Sequence, residues 1–216
     1  MKHIVIISGG SIDDRFAASY MRQHPYDYLI AADSGLGYVK RAGITPDVIL
    51  GDFDSAEDND IGYFREQYPE RMRTFPVKKD ETDTELALLE AFRAGGDTVT
   101  ILGGTGTRID HVLGNIHLLK MALDNGVCAF LTDPHNRIRM IRDVCRIRKG
   151  EQFGTYLSVL PFSEMVSGLT MTGVEYPVSG LTLVSGISRG ISNRITGEEA
   201  VIRIREGLAV IIESRD

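Results

Sequence analysis

The sequence predicts an α/β protein in which a doubly wound, mostly parallel sheet precedes an all-β sandwich. In residues 1–133, short apolar runs alternate with segments of helical periodicity, as in a parallel sheet built from βα units. From residue 134 onwards, short runs follow one another between Gly, Ser and Pro, as in a β-sandwich or a β-barrel. We therefore expect two domains, 1–133 and 134–216.

The strands of the first domain are predicted from its apolar runs, and the helices from apolar residues three or four positions apart. The predicted strands span 3–7, 28–32, 48–50, 72–77, 98–102 and 128–132. One predicted helix starts at Asp13 or Asp14, a second stops near Gly43, and three more span 61–67, 83–94 and 108–125. In the second domain the short runs are 137–140, 146–148, 153–160, 169–171, 181–184, 200–204 and 208–212.

Composition excludes several classes of protein. The net charge of -6 argues against a main role in binding nucleic acid or a membrane surface. No apolar run is long enough to span a membrane, and the first residues lack the pattern of a signal peptide. The two cysteines, Cys128 and Cys145, form neither a disulfide framework nor a zinc motif. A cytoplasmic location is expected.

A pair of acids follows the third predicted strand. The strand ends at Gly51, and Asp52 and Asp54 come next, with Phe53 between them. Ligands bind at the carboxyl edge of such a sheet, and close carboxylates raise each other's pKa unless a cation joins them. Mg²⁺ with a substrate phosphate fits this pattern. The stretch alone leaves an alternative open, a solvated acidic loop in which Ser55 caps the next helix.

Acids recur at the ends of the fourth and fifth predicted strands, in the segments 78–85 and 103–111. Strand ends in this type of sheet converge on one crevice, so the three acidic segments are expected to meet there. Helix capping is the alternative, because Thr82 and Thr107 each precede an acid by three residues. Capping explains one acid in each segment. It explains neither the glycine run at 103–106 nor Arg108, so a functional site is favoured.

The glycine run at 103–106 matches no complete nucleotide motif. It lacks the third glycine of the dinucleotide fingerprint, and the chain has no GxxxxGK[ST] sequence. Its backbone N–H groups are nevertheless suited to a phosphate at a helix N-terminus, and Arg108 is suited to a bidentate phosphate contact. His111 and His117 lie six residues apart, which is not the spacing of a helical metal pair.

Two features of the second domain have ordinary structural interpretations. Six basic residues between Arg137 and Lys149 alternate with apolar ones, which predicts a solvated strand face. The polar segment 190–193 is typical of a hairpin turn when it is taken alone.

Taken together, the motifs resemble the thiamine pyrophosphokinase family over essentially the whole chain. They are DSG at 33–35, GDFDS at 51–55, DETD at 80–83, GG at 103–104, RIDH at 108–111 with Asn115, and GISN at 190–193. The resemblance implies transfer of the pyrophosphoryl group of ATP to the thiamine hydroxyl, giving thiamine diphosphate and AMP. It also implies a nucleotide-binding α/β domain, a thiamine-binding sandwich, and a homodimer with thiamine between the α/β domain of one subunit and the sandwich of the other.

The resemblance also implies roles for individual residues. Mg²⁺ would be held by Asp52, Asp54 and Asp83, and these acids with Arg108 and Asp110 would form the catalytic set. A proton acceptor is needed as well, for which Asp83 or Asp110 is our hypothesis. The implied thiamine ligands are Tyr176, Ser192 and Asn193, although animal enzymes carry tryptophan at the position of Tyr176. The implied nucleotide ligands are Gly9, Gly10, Asp33, Gly35, Lys79, Thr82, Gly103, Gly104, Thr105, Arg108 and Asn115.

Three other functions remain as alternatives. A pyrophosphokinase acting on a hydroxymethyl pterin would use a similar scaffold. A phosphatase of the haloacid dehalogenase type also has an Asp-x-Asp motif, but there it follows the first strand and here the third. A non-catalytic sensor of a nucleotide or thiamine diphosphate would bind without releasing AMP, and it would not need the set of acids.

Overall fold

The computed structural model describes residues 1–53, 57–76 and 80–216. The chain divides into two compact units, Met1–Pro134 and His135–Asp216.

The first unit is a parallel sheet with helices between its strands. The sheet has the strand order β4-β3-β2-β1-β5-β6, and every neighbouring pair is parallel. The strands are β1 His3–Ile7, β2 Tyr28–Ala32, β3 Val48–Gly51, β4 Met72–Thr74, β5 Thr98–Leu102 and β6 Cys128–Thr132. The helices are α1 Asp14–Gln23, α2 Gly35–Arg41, α3 Asp58–Gln67, α4 Asp83–Arg93 and α5 Ile109–Asp124, and a 3₁₀ turn spans Pro69–Arg71.

The strand order reverses beside β1. The chain proceeds outward through β2, β3 and β4, then returns to pair β5 with the other side of β1. Because crossovers in parallel sheets are right-handed, this reversal places α1 to α3 on one face and α4 and α5 on the other. Contacts of α2 with α3 and of α4 with α5 agree with that arrangement. The crevice between the ends of β1 and β5 is therefore the switch point at which such folds bind ligands.

The second unit is a sandwich of two antiparallel sheets. One has the order β7-β13-β9 and the other β11-β10-β12-β8. Apolar side chains from both sheets, including Val159, Ile202 and Ile211, form its core. The predicted fold class is confirmed. The strands are β7 Asn136–Ile141, β8 Val144–Arg148, β9 Tyr156–Pro161, β10 Met165–Thr172, β11 Val178–Val184, β12 Glu199–Arg203 and β13 Ala209–Ser214, with a 3₁₀ turn at Lys149–Glu151.

The predicted solvated face of basic residues is wrong for two of them. The side chains of Arg137 and Arg139 are only 16% and 15% exposed, and both pair with Glu213. Arg146 and Arg148 are exposed, as predicted. The alternation of basic and apolar residues does not reveal an acid that the neighbouring strand β13 places opposite Arg137.

Candidate active site

A cleft of about 510 Å³ lies at the switch point of the first unit. It is formed by the carboxyl ends of several strands and by the first turns of α4 and α5, so segments far apart in sequence meet there. Its walls comprise Ser8, Gly9, Gly10, Asp33, Ser34, Asp52, Glu81, Thr82, Asp83, Thr84, Gly103, Gly104, Thr105, Gly106, Thr107, Arg108, His111 and Asn115.

Three carboxylates meet in this cleft. Asp33 follows β2, Asp52 follows β3 and Asp83 is the first residue of α4. Each contributes an oxygen atom, and these atoms lie within 4.8 Å of one another. The structure thus brings Asp52 and Asp83 together and adds Asp33, for which the family resemblance implied a nucleotide contact. Asp54 lies outside the described residues.

The backbone around these acids is tightly constrained. Asp33 has a φ of +47° and Phe53 a φ of +62°, both in the left-handed region. Aspartate tolerates this region, whereas a buried phenylalanine there stores strain of about 1–3 kcal/mol. The N–H of Asp33 donates to the carbonyl of Leu50 at 2.9 Å, which joins the end of β2 to β3. The acids are therefore presented by a backbone with little freedom to move.

The glycine loops after β1 and β5 pack directly against each other. Gly10 N donates to Gly103 O at 2.7 Å, and Ser11 N donates to Thr105 O at 2.8 Å. Gly103 has a φ of +70°, and a Cβ atom there would lie 2.4 Å from the carbonyl oxygen of Ser8. Only glycine fits this position, and the loop 103–106 that it begins lines the cleft.

The other residues predicted to bind nucleotide divide into three groups. Gly9, Thr82 and Gly104 are in the cleft wall. Asn115 is in the wall too, but its side chain donates to the carbonyl of Gly104 at 2.7 Å and so supports the loop. Gly35 is buried outside the lining of the cleft, and Lys79 lies outside the described residues. Thr82 also caps α4, as predicted, by accepting from Glu85 N at 3.2 Å, whereas Thr107 is not the cap of α5.

Arg108 and Asp110 form an ion pair at the start of α5. Arg108 donates to the two carboxylate oxygens at 2.6 and 3.3 Å, and both side chains are mostly exposed. The hydrogen bond from Arg108 lowers the pKa of Asp110, and the same bond raises the pKa of Arg108. Arg108 lines the cleft, whereas Asp110 lies outside the lining. The ion pair with Asp110 therefore holds the Arg108 guanidinium at the edge of the cleft.

The residues implied to bind thiamine are adjacent in the second unit. Asn193 is buried, its amide oxygen accepts from Tyr176 N at 3.0 Å, and its amide nitrogen donates to Tyr176 O at 2.9 Å. Tyr176 itself remains 64% exposed. Ser192 has a φ of +59°, and its N–H donates to the hydroxyl oxygen of Ser158 at 3.1 Å. The arrangement fixes the backbone of Tyr176 and leaves its ring accessible.

Sequence reasoning did not assign a role to Ser8 or Thr84, whose hydroxyl groups are hydrogen-bonded to each other in the cleft wall. Ser8 directly follows β1, and Thr84 follows the acid of α4. The sequence does place both residues next to segments expected at the switch point. It does not indicate that they contact each other, because they lie 76 residues apart and form no motif.

A doubly wound sheet with clustered carboxylates, a glycine loop and an arginine at its switch point defines an α/β enzyme of the phosphoryl-transferring class. Two family models match the chain: "Thiamin pyrophosphokinase, catalytic domain" at residues 21–131 and "Thiamin pyrophosphokinase, vitamin B1 binding domain" at 144–209. The chain belongs to the thiamin pyrophosphokinase family.

Similar proteins agree with this assignment. The thiamine pyrophosphokinase of Bacillus subtilis (strain 168) is 32% identical over 219 residues, which covers 100% of both chains. Its crystal structure superposes with a TM-score of 0.89 over 100% of both chains at 32% identity. The yeast thiamin pyrophosphokinase structure shares the fold, with a TM-score of 0.78, 17% identity, and coverage of 99% of this chain and 86% of that one.

These matches confirm the function predicted from the sequence, a thiamine pyrophosphokinase, and with it an enzyme that uses ATP as co-substrate. Among the described helices, none has the length and apolar character needed to cross a membrane.

Proposed function

We propose that the reaction takes place in the switch-point cleft, where the pyrophosphoryl group of ATP passes to the hydroxyl group of thiamine and AMP is released. The observation that carries this proposal is the group of three carboxylates, Asp33, Asp52 and Asp83, with oxygen atoms within 4.8 Å of one another. A polyphosphate is repelled by such a group unless a divalent cation lies between them.

The donor set fits Mg²⁺, which prefers hard carboxylate oxygens and is commonly shared with substrate phosphates. Asp33, Asp52 and Asp83 would hold it, and Asp54 remains a further proposed ligand from the family resemblance. When bound, Mg²⁺ neutralises negative charge on the phosphate oxygens. The backbone N–H groups of the loop 103–106 would orient the polyphosphate, and Arg108 would add positive charge in the cleft wall.

The thiamine hydroxyl must lose a proton during the transfer. We propose Asp83 or Asp110 as the base that accepts this proton. The hydrogen bond from Arg108 lowers the pKa of Asp110, so its carboxylate is a weaker base than usual. This favours a role for Asp110 in holding Arg108.

The Asp110→Asn variant should therefore lose about tenfold in kcat/KM, through a looser Arg108, while the acid limb of its pH–rate profile stays in place. Because the pKa of Asp110 is lowered, this carboxyl is fully ionised at every pH above the usual carboxylate pKa range. It becomes protonated only as the pH falls through the lowered pKa. Disappearance of an acid limb in the variant would identify Asp110 as the base instead.

We propose that the sandwich binds thiamine through Tyr176, Ser192 and Asn193, with the Tyr176 ring stacking on the heterocycle. The side chain of Asn193 accepts one hydrogen bond from the backbone of Tyr176 and donates another to it, which supports a positioning role for Asn193. We further propose a cytoplasmic homodimer with thiamine at the subunit interface. Exposed apolar side chains of the same unit, Ile187 and Ile191, support the dimer, which light scattering tests as twice the mass of one chain.

Asn193→Ala should raise the KM for thiamine about tenfold with a smaller change in kcat, because displacement of a binding residue weakens contact with its ligand. Initial rates at varied thiamine concentration measure this effect. Asn125→Ala is the matched control, since the side chain of Asn125 also donates to a backbone carbonyl but is exposed at the C-cap of α5. An equal KM for the Asn193 variant and the unmodified enzyme would contradict the positioning role.

The reaction itself is tested by mixing the protein with ATP, Mg²⁺ and thiamine. Equal amounts of AMP and thiamine diphosphate are expected. ADP with thiamine monophosphate would refute pyrophosphoryl transfer, and inorganic phosphate without an acceptor would identify a phosphatase. Saturable thiamine diphosphate binding without AMP would identify a sensor. Preference for a hydroxymethyl pterin over thiamine would reassign the acceptor.

A further inference from the structure

A buried pair of hydroxyl groups links the end of β1 to the first turn of α4, the helix that begins with Asp83. The oxygen atoms of Ser8 and Thr84 lie 2.6 Å apart, and the two residues are 4% and 7% exposed. Ser8 directly follows β1 at the switch point, and Thr84 lies in the first turn of α4, next to Asp83. A hydrogen bond shielded from water in this way restricts the position of both elements.

The backbone of Ser8 is tied to the neighbouring strand. Its N–H donates to Leu102 O, at the end of β5, at 2.8 Å. Thr84 is held within the helix, because Thr82 caps the same turn. The hydroxyl pair therefore joins the β1–β5 end of the sheet to the first turn of α4.

Asp83 depends on this link more than the other two acids do. Asp33 and Asp52 directly follow strands, so the sheet fixes their backbone. Asp83 begins a helix, and its distance from the sheet acids depends on how that helix turn docks. We propose that Ser8 and Thr84 are positioning residues, whose hydrogen bond sets the Asp83 carboxylate at the spacing needed to share a divalent cation with Asp33 and Asp52. This inference rests on the proposed function of the acids.

The test uses full-length protein and Mn²⁺ as the probe, with the dissociation constant measured by electron spin resonance. Ser8→Ala and Thr84→Val, which keeps the shape of threonine, should each weaken Mn²⁺ binding about tenfold, as loss of a ligand-orienting contact does. The double variant should also lose about tenfold, because both changes remove the same bond. Thr84→Ser retains the hydroxyl and should bind Mn²⁺ like the unmodified protein. The Mg²⁺ concentration for half-maximal activity should rise in parallel.

Thr100→Val is the matched control. Thr100 is 1% exposed, and its hydroxyl is hydrogen-bonded to His3 Nε2 at 2.9 Å, away from the acids. This variant should lose thermal stability but keep its Mn²⁺ affinity. Unchanged Mn²⁺ affinity in Ser8→Ala and Thr84→Val, or an equal loss in Thr100→Val, would overturn the positioning role alone. Absence of Mn²⁺ binding in the unmodified protein would overturn the proposed metal site as well.

Discussion

Asp52→Asn should lower kcat/KM for thiamine diphosphate formation by about a thousandfold, the order of loss seen when one preorganised charge-stabilising group is removed. The substitution is nearly isosteric but removes one negative charge from the group of Asp33, Asp52 and Asp83. Initial rates of AMP release at saturating and varied Mg²⁺ measure the loss. Excess Mg²⁺ should recover only part of it, because the ligand oxygen that remains is uncharged.

Two further variants make that result interpretable. If the carboxylate of Asp33 also holds the metal ion, the kcat/KM of Asp33→Asn should fall to within about tenfold of that of Asp52→Asn. Asp14→Asn removes an exposed carboxylate that pairs with Arg41 on the α1–α2 surface, and it should keep full activity. Retention of more than a third of the normal rate by Asp52→Asn would contradict the proposed metal site.

Strand positions could be predicted where burial on both faces leaves an uninterrupted apolar run. The predicted strands 98–102 and 128–132 have the observed bounds of β5 and β6. The start of α3 was predicted too late, because its first turn, Asp58–Asp60, is polar and shows no helical periodicity. Its N-cap is Glu57, while the predicted cap Ser55 lies outside the described residues. Of the predicted strand 72–77, the described residues 72–76 contain β4 at Met72–Thr74, and Val77 lies outside the described residues.

Part of the site follows from a general rule, and part depends on geometry that the sequence does not encode locally. The convergence of strand ends was sufficient to predict that Asp52 and Asp83 approach each other. The orientation of Asp33 toward them depends on its left-handed backbone and on the register of β2 with β3, neither of which a single acid in a turn reveals. The Ser8–Thr84 bond joins residues 76 positions apart and is equally hidden.

The same limit applies to the ion network in the sandwich. Glu213 is 1% exposed and accepts from Arg137 at 2.9 and 3.1 Å. Its carboxylate also accepts from Phe153 N at 2.9 Å and pairs with Arg139 at 3.5 Å. A carboxylate so deeply buried is stable only while these partners satisfy its charge and its lone pairs.

Glu213→Gln should destabilise the protein by about 3–5 kcal/mol, because it leaves two largely buried guanidinium groups without their common counter-charge. Urea unfolding of the full chain measures this as a lower midpoint with an unchanged slope. Glu199→Gln is the matched control, since Glu199 pairs with Arg146 at 2.7 Å on an exposed strand face, and it should cost about 0–1 kcal/mol. Equal midpoints for the two variants would show that the buried network contributes no more to stability than a surface pair does.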